Sequence, residues 1–311
     1  MTTREKLEII QRILGLTQTE LALRFGVSFP AYNSWWNNKS IPRPKMLVQI
    51  DELFQEVTGQ KKITNDVLES KKMALHQKSL TFKSVIKKIV NNPDIRDEFI
   101  LKLTYHSNSI EGSTLTEPDT AAIIFDNVSI PDKTITEQLE AKNHQSALNY
   151  LFDFVVRGDE IDEKFILKLY SILMNSIRPD AGQYRNHGVR ITGVDLPTAN
   201  YMSIPKLIDE LVSTLQKKTK DIVSLTTIVH AKFEKIHPFS DGNGRVGRLL
   251  MNAMLLKANL PPAIIRQQLK QIYYTHLYKA QTKEEYIPLE HFVYEGIVDG
   301  FRVLERKGMV R

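Results

Sequence analysis

Residues 234–250 read "EKIHPFSDGNGRVGRLL". Between His237 and Arg248 the stretch sets an imidazole, the Asp241 carboxylate, a Gly242-Asn243-Gly244 run, and the guanidinium groups of Arg245 and Arg248. A structural turn needs a glycine or two, not so much convergent polarity. Glycines let successive N–H groups point into one concavity without a Cβ in the way. A helix starting behind them adds positive potential, and that pairing binds phosphate. Cations in the first turn of a helix oppose its dipole. Two of them, three residues apart, therefore point to an external anion, which the guanidinium fork suits. Asp241 beside such a nest would repel a phosphate unless a cation lay between them, and Mg²⁺ commonly takes one carboxylate plus phosphate oxygens. His237 supplies a base that titrates near neutrality. Each residue alone has a bland reading as cap, turn or solvated charge. Their order is what argues for a site.

The elements around the motif are helical. Leu225, Ile228, Val229, Phe233 and Ile236 recur at helical spacing before it. Pro238 pushes His237 away from the α region and ends that helix near Ile236. A second helix opens at Arg245, with Val246, Leu249, Leu250, Ala253 and Met254 facing inward. Further amphipathic helices are expected over 82–91, 94–106, 135–156, 163–176, 204–218 and 288–305. Only "GQYRNHGVRITGVDLPTANYMSIP" breaks the period, with alternation at Val189 and Ile191; it reads as a short β-hairpin or extended flap.

The chain has 311 residues, a net charge of +6 and no cysteine. Disulfides and thiolate metal sites are thereby excluded. The mild positive charge permits nucleic acid or nucleotide partners without requiring them. No apolar run reaches membrane-spanning length, and the charged start "MTTREKLEII" lacks the apolar core of a secretory signal. A cytoplasmic protein without a membrane partner is the expectation. The polar, lysine-rich stretch from Gly59 to Leu80 marks a boundary, giving a module over 1–60, a linker over 61–80 and a larger helical domain over 81–311.

"HPFSDGNGRVGR" matches in full the signature of the Fic family, H-P-F-x-[DE]-G-N-[GK]-R-x-x-R. "NSIEGSTLT", "EAKNHQSAL", "LYSILM", "GQYRNHGV" and "IYYTHLYKAQ" extend the likeness over roughly residues 80 to 300. The resemblance implies an all-α fold: a Fic-type helical bundle with a short β-hairpin flap. It also implies transfer of AMP from ATP to a Ser, Thr or Tyr hydroxyl of a protein, the chain itself included. On that likeness His237 is the general base, Asp241 holds Mg²⁺, and Gly242, Asn243 and Gly244 form the anion nest. Arg245 and Arg248 hold the phosphates, with Arg248 on the γ-phosphate. Gly244 favours AMP as the group transferred. The flap, with Tyr184, Arg185, Gly188, Val189, Arg190 and Ile191, would clamp the target by strand addition. Tyr273 and Tyr274 stack near adenine or pack in the core.

"SNSIEG" resembles the inhibitory motif [ST]-x-x-x-E-[GN] of that family, through Ser107, Glu111 and Gly112. The likeness implies that Glu111 pairs with Arg248 and blocks the productive γ-phosphate pose. On a surface such a pair contributes about 0–1 kcal/mol, but its Coulomb attraction reaches ~4 kcal/mol at an effective dielectric of 20. Removal of AMP is a related activity that the residues leave open.

"LGLTQTELALRFGVSFPAYNSWWNNKSIPRP" is similar to the helix-turn-helix of phage-repressor-like regulators. Thr17 with Glu20 is a capping-box signature. The recognition helix would span about 28–36, with Ser28, Tyr32, Asn33 and Ser34 toward the groove and Arg43 and Lys45 near phosphates. A plain helical docking or dimerisation module is the alternative. Two functions follow: an AMP-transferring enzyme with an appended targeting module, or a DNA-binding regulator whose Fic domain senses nucleotide. ATP, a target protein, DNA and a second copy of the chain are the partners to weigh.

Overall fold

A computed structural model describes residues 1–60, 63–190 and 196–306. The N-terminal module is four short helices: α1 (Thr3–Leu14), α2 (Gln18–Arg24), α3 (Phe29–Trp36) and α4 (Pro44–Val57). Thr2 with Glu5 and Thr17 with Glu20 close capping boxes on the first two. Pro30 and Pro44 stand in first turns, where a missing N–H is harmless. Leu7, Ile10, Leu21, Tyr32, Ile50 and Val57 make a separate core, which Ile272 of the larger domain joins.

The polar stretch read as a boundary carries a helix, α5 (Asn65–Leu80). Its hydrophobic pattern is weak because much of what holds it is charge. The Lys72 ammonium is gathered by Glu69 and Glu290, each at 2.5 Å, and by Asp221. The three carboxylate oxygens lie close enough to suggest a cation site, but the lysine is that cation. Glu290 is 5% exposed, and its carboxyl is raised by burial against the pull of Lys72.

The larger domain runs α6 (Val85–Val90), α7 (Pro93–Glu111), α8 (Glu117–Asp126), α9 (Ile135–Arg157), α10 (Glu163–Leu173), α11 (Ile204–Leu215), α12 (Ile222–Ile236), α13 (Asn243–Lys257), α14 (Lys270–Lys283) and α15 (Ile287–Leu304). At its centre stands α13, buried on every side from Arg245 to Leu256. Helices α7, α9, α10 and α12 pack around it. A helix with apolar residues on every face must be enclosed in this way. α7 runs five residues past the expected end at 106, to Glu111, where Gly112 caps it at φ 109°. Ser107 and Asn108 in that last turn are polar yet buried, so hydrophobic period could not reveal them.

The expected hairpin is reduced among the described residues to one antiparallel bridge, Arg190 to Pro197, and a Thr198 Oγ1 bond to the Val189 carbonyl at 2.8 Å. Proline has no N–H to continue a ladder. Ile191 lies outside the described residues. No described helix is long and apolar enough to cross a membrane.

Replacing Lys72 with Met leaves Glu290 buried without its counter-charge. Urea unfolding should show a loss of roughly 2–4 kcal/mol, and the Lys72→Met/Glu290→Gln pair should recover part of it.

Candidate active site

The site is built on the turn from α12 into α13. The N–H of His237 closes α12 on the Phe233 carbonyl at 3.0 Å, with His237 at φ 51°, ψ 61°. A left-handed conformation costs an L-residue roughly 1–2 kcal/mol, so its surroundings must hold it there. Pro238 excludes the helical alternative. Arg185 does the rest: its Nε donates to the His237 carbonyl at 2.7 Å, its Nη2 to the Ala199 carbonyl at 2.6 Å, and its backbone N–H to the Pro238 carbonyl at 3.0 Å. Phe239 is fully buried and stacks on Tyr170 with ring centroids 3.8 Å apart. Asn243 ties the loop from inside, accepting from the Phe239 N–H and donating to its carbonyl, both at 2.9 Å. Gly242, at φ 74°, is in a conformation that favours glycine, and a Cβ there would also have to displace the Met174 methyl end, 2.0 Å away.

Enclosure of α13 buries both arginines of its first two turns. Arg245 pairs with Glu140 of α9 at 2.6 Å, and its Nη2 lies 3.6 Å from Asp241. Arg248 donates from Nε to Ser107 Oγ at 2.9 Å, and from Nη2 to the Ser107 carbonyl at 3.0 Å and to Glu111 Oε1 at 2.6 Å. Glu111 thus reaches across from the end of α7 to cover Gly244; a Cβ at 244 would stand 2.3 Å from its Oε1. The Nη1 of Arg248 is buried without a partner, 3.0 Å from the same Cβ position. It is a spare donor on the side of the helix N-terminus. Asp241 is exposed and accepts the Gly242 N–H at 2.6 Å. One carboxylate at the mouth of an N–H nest is a donor set suited to Mg²⁺ shared with phosphate.

The His237 imidazole is lowered from its ordinary value, by burial first and then by the nearby Arg185, so it is neutral at neutral pH. Its Nδ1 lies 3.3 Å from the Glu234 carbonyl. Assigning the Nδ1 proton to that contact leaves Nε2 with the lone pair a base needs. Arg248 is held above its ordinary value: burial opposes its charge most strongly, but the Glu111 carboxylate, by charge and hydrogen bond, together with Tyr273 and Tyr274 outweighs it. The fully buried Tyr273 meets His230 Nε2 at 2.6 Å, which is core packing. Tyr274 is half-buried nearby.

Sequence reading brought His237, Asp241 to Arg245, Arg248 and Glu111 to one place, where the structure also has them. It missed two contributors and gave a third another role. Glu140 opens the quoted "EAKNHQSAL", but nothing in spacing ties it to Arg245. Glu234 lies one turn before His237 and so was findable. Arg185 needs correction: it is 3% exposed and spends its donors on loop carbonyls, so its side chain fastens the site rather than meeting a target. Tyr184 likewise turns inward, to Glu163 at 2.9 Å. Gly188 and Arg190 are exposed and Val189 half-buried. In the N-terminal module Tyr32 is a second correction. It is fully buried between aromatic neighbours and cannot enter a groove. Asn33 is engaged by Asn37 and Ser34 by Ser40, while Ser28, Arg43 and Lys45 are exposed.

Comparison with known proteins bears on the family and the fold. Residues 160–255 match the Fic/DOC family and residues 10–61 a helix-turn-helix family. A protein adenylyltransferase Fic of Nematostella vectensis is 32% identical over 245 residues, covering 76% of this chain and 53% of that protein. Its counterpart in Aedes aegypti is 34% identical over 185 residues, covering 58% and 37%. The chain therefore spans about half or less of the curated relatives it matches. Among solved structures, Fic-1 (residues 134–508) of C. elegans superposes with a TM-score of 0.67 at 23% identity, covering 92% of this chain and 84% of that one. A Fic family protein of Desulfovibrio desulfuricans has a TM-score of 0.65 at 26% identity, covering 78% and 74%.

Glu234 offers a pH test of the site's burial. Its carboxyl is raised by burial to about 8, from 4.5. Between those values the unfolded chain has lost the proton that the folded chain keeps, so stability falls as pH rises. Glu234→Gln should therefore raise the melting temperature at pH 8 relative to wild type, and change it far less at pH 4.

Proposed function

The chain carries a Fic/DOC domain behind an N-terminal helix-turn-helix domain, and on that premise we propose that it is a protein adenylyltransferase held in check by its own Glu111. The observation that carries this reading is the pair of buried arginines at the α13 N-terminus, each met by a carboxylate of the same chain, Arg245 by Glu140 and Arg248 by the partly exposed Glu111. A buried guanidinium with an unused N–H beside a helix N-terminus is an anion site. Glu111 stands where a phosphate oxygen would.

In the proposed reaction His237 Nε2 takes the proton of a Ser, Thr or Tyr hydroxyl on the target. The freed oxygen attacks the α-phosphorus of ATP, the bond to the bridging oxygen breaks, and pyrophosphate leaves with that oxygen. The left-handed turn holds the base rigidly, and positioning with charge stabilisation supplies most of the catalysis in such transfers. The N–H groups of the Gly242–Gly244 turn and the two arginines bind the phosphates. Asp241 would hold Mg²⁺, which neutralises phosphate charge when bound. Arg248 would take the γ-phosphate once Glu111 withdraws. The backbone of the flap, through Gly188 to Arg190, would align the target by strand addition.

The N-terminal domain would bring this activity to DNA through the exposed Ser28, Arg43 and Lys45. A gel shift on DNA should weaken uniformly in the Arg43→Glu/Lys45→Glu variant, and the salt dependence of binding should be shallower. Equal binding by both proteins would remove this reading.

The enzymatic reading is tested by incubation with ATP and Mg²⁺ followed by intact-mass measurement. Glu111→Gly should gain AMP mass at least tenfold faster than wild type, and Glu111→Gly/His237→Ala should gain none. AMP addition by the double variant would show that His237 is not the base. In Glu111→Gly the rate should be level above neutral pH and fall in acid through a midpoint below the ordinary imidazole value of 6.5, since protonation removes the base.

A further inference from the structure

Two carboxylates share the field of the buried Arg248, and only one is bonded to it. Glu111 gives Oε1 to Nη2 at 2.6 Å. Glu234, on α12, is 6% exposed and packs on Gly247, so closely that a Cβ there would stand 2.2 Å from its Oε1. That Oε1 has no hydrogen-bond partner, and neither has Nη1 of Arg248; both atoms are closed off from water. The groups around Glu234 are Arg248 on α13, Glu111 on α7, Tyr273 and Tyr274 on α14, and His230 a turn earlier on its own helix. Burial keeps both tyrosines and His230 neutral. The local inventory is therefore one cation and two acids. A closed space does not tolerate a surplus carboxylate, so one acid keeps its proton. Glu111 is partly exposed and hydrogen-bonded to the guanidinium, so Glu234 is the neutral one.

We infer that Glu234 is a positioning residue for Arg248: a reserve counter-charge that takes over the guanidinium when Glu111 withdraws and yields it to an arriving phosphate. This second half rests on the adenylyltransferase reading; the first does not. While Glu111 is docked, its charge opposes ionisation of Glu234. Once Glu111 leaves, that opposition is gone and Arg248 would be an uncompensated buried cation, a costly state. Glu234 then releases its proton to bulk water and holds Arg248 in place. Phosphate brings negative charge back, and Glu234 takes up a proton from water. Release of Glu111 and binding of nucleotide thus each exchange one proton with solvent, through the same carboxyl. Glycine at 247 is part of the arrangement, since any side chain there would displace that carboxyl.

Infrared difference spectroscopy on the full chain at neutral pH tests this directly. Wild type minus Glu234→Gln should contain the carbonyl stretch of a protonated carboxylic acid. In Glu111→Gln, which keeps the shape of the side chain, and in Glu111→Gly, the same subtraction should show a carboxylate band instead. A glutamate that only fills space would show the acid band in all backgrounds, and that result, or no acid band in wild type, overturns the inference. Addition of ATP to Glu111→Gly should restore the acid band. If calorimetry finds no ATP binding to that variant, the nucleotide reading falls, while the spectra without ATP still decide the role of Glu234.

Discussion

Burial of two guanidinium groups at the start of one helix is the constraint around which this domain is organised. α13 carries core residues on every side from Leu249 to Leu256, so it can only be stable at the centre of the bundle. Its position drags Arg245 and Arg248 out of water, at the end of the helix where the dipole favours anions. A buried cation must be paired or replaced. Each arginine is therefore met by an acid from a distant element: Glu140 from α9 and Glu111 from α7. The proposed anion site and the Glu111 carboxylate that lies in it have one cause.

Rigidity around the proposed base follows the same logic. His237 sits in a conformation that a side-chain-bearing residue adopts at a cost, and four separate devices hold it: Pro238, the Arg185 bonds, the Phe239 anchor and the Asn243 staple. Strain of this kind persists only where surrounding structure over-determines it, and it gathers at functional sites. Arg185 also joins the base to the flap through the Ala199 carbonyl. The segment that would align a target and the residue that would deprotonate it are thus fixed to one guanidinium.

Electrostatic fastening recurs away from the site. α5 carries little amphipathic signal, yet Lys72 ties it to the start of α12 and to α15. Lys71 and Lys78 reach α15 and the residue after it. α5 lies as a strut against the larger domain, and Ile272 of α14 joins the apolar core of the N-terminal domain. The two domains share packing rather than only a covalent link.

Much of this was legible in residue order. Helices announced themselves by period and caps, as at Thr17 and Glu20. The turn from His237 to Arg248 announced its chemistry because its groups are local in sequence, and local spacing alone brings them together. Ser107 and Glu111 could be aimed at Arg248 only through likeness to a family pattern and not from spacing, since that partner lies 137 residues away or more. What only tertiary structure decided was who meets whom across the bundle and what is out of water. Tyr32 and Arg185 carry polar atoms suited to contact, and packing turned both inward. Glu234 is an ordinary helical glutamate in the sequence; enclosure between α12, α13 and α14 makes it an acid that keeps its proton near neutrality. Sequence specifies side-chain chemistry and its local order. Solvent exclusion and long-range pairing set the charge each group carries, and those exist only once the helices have packed.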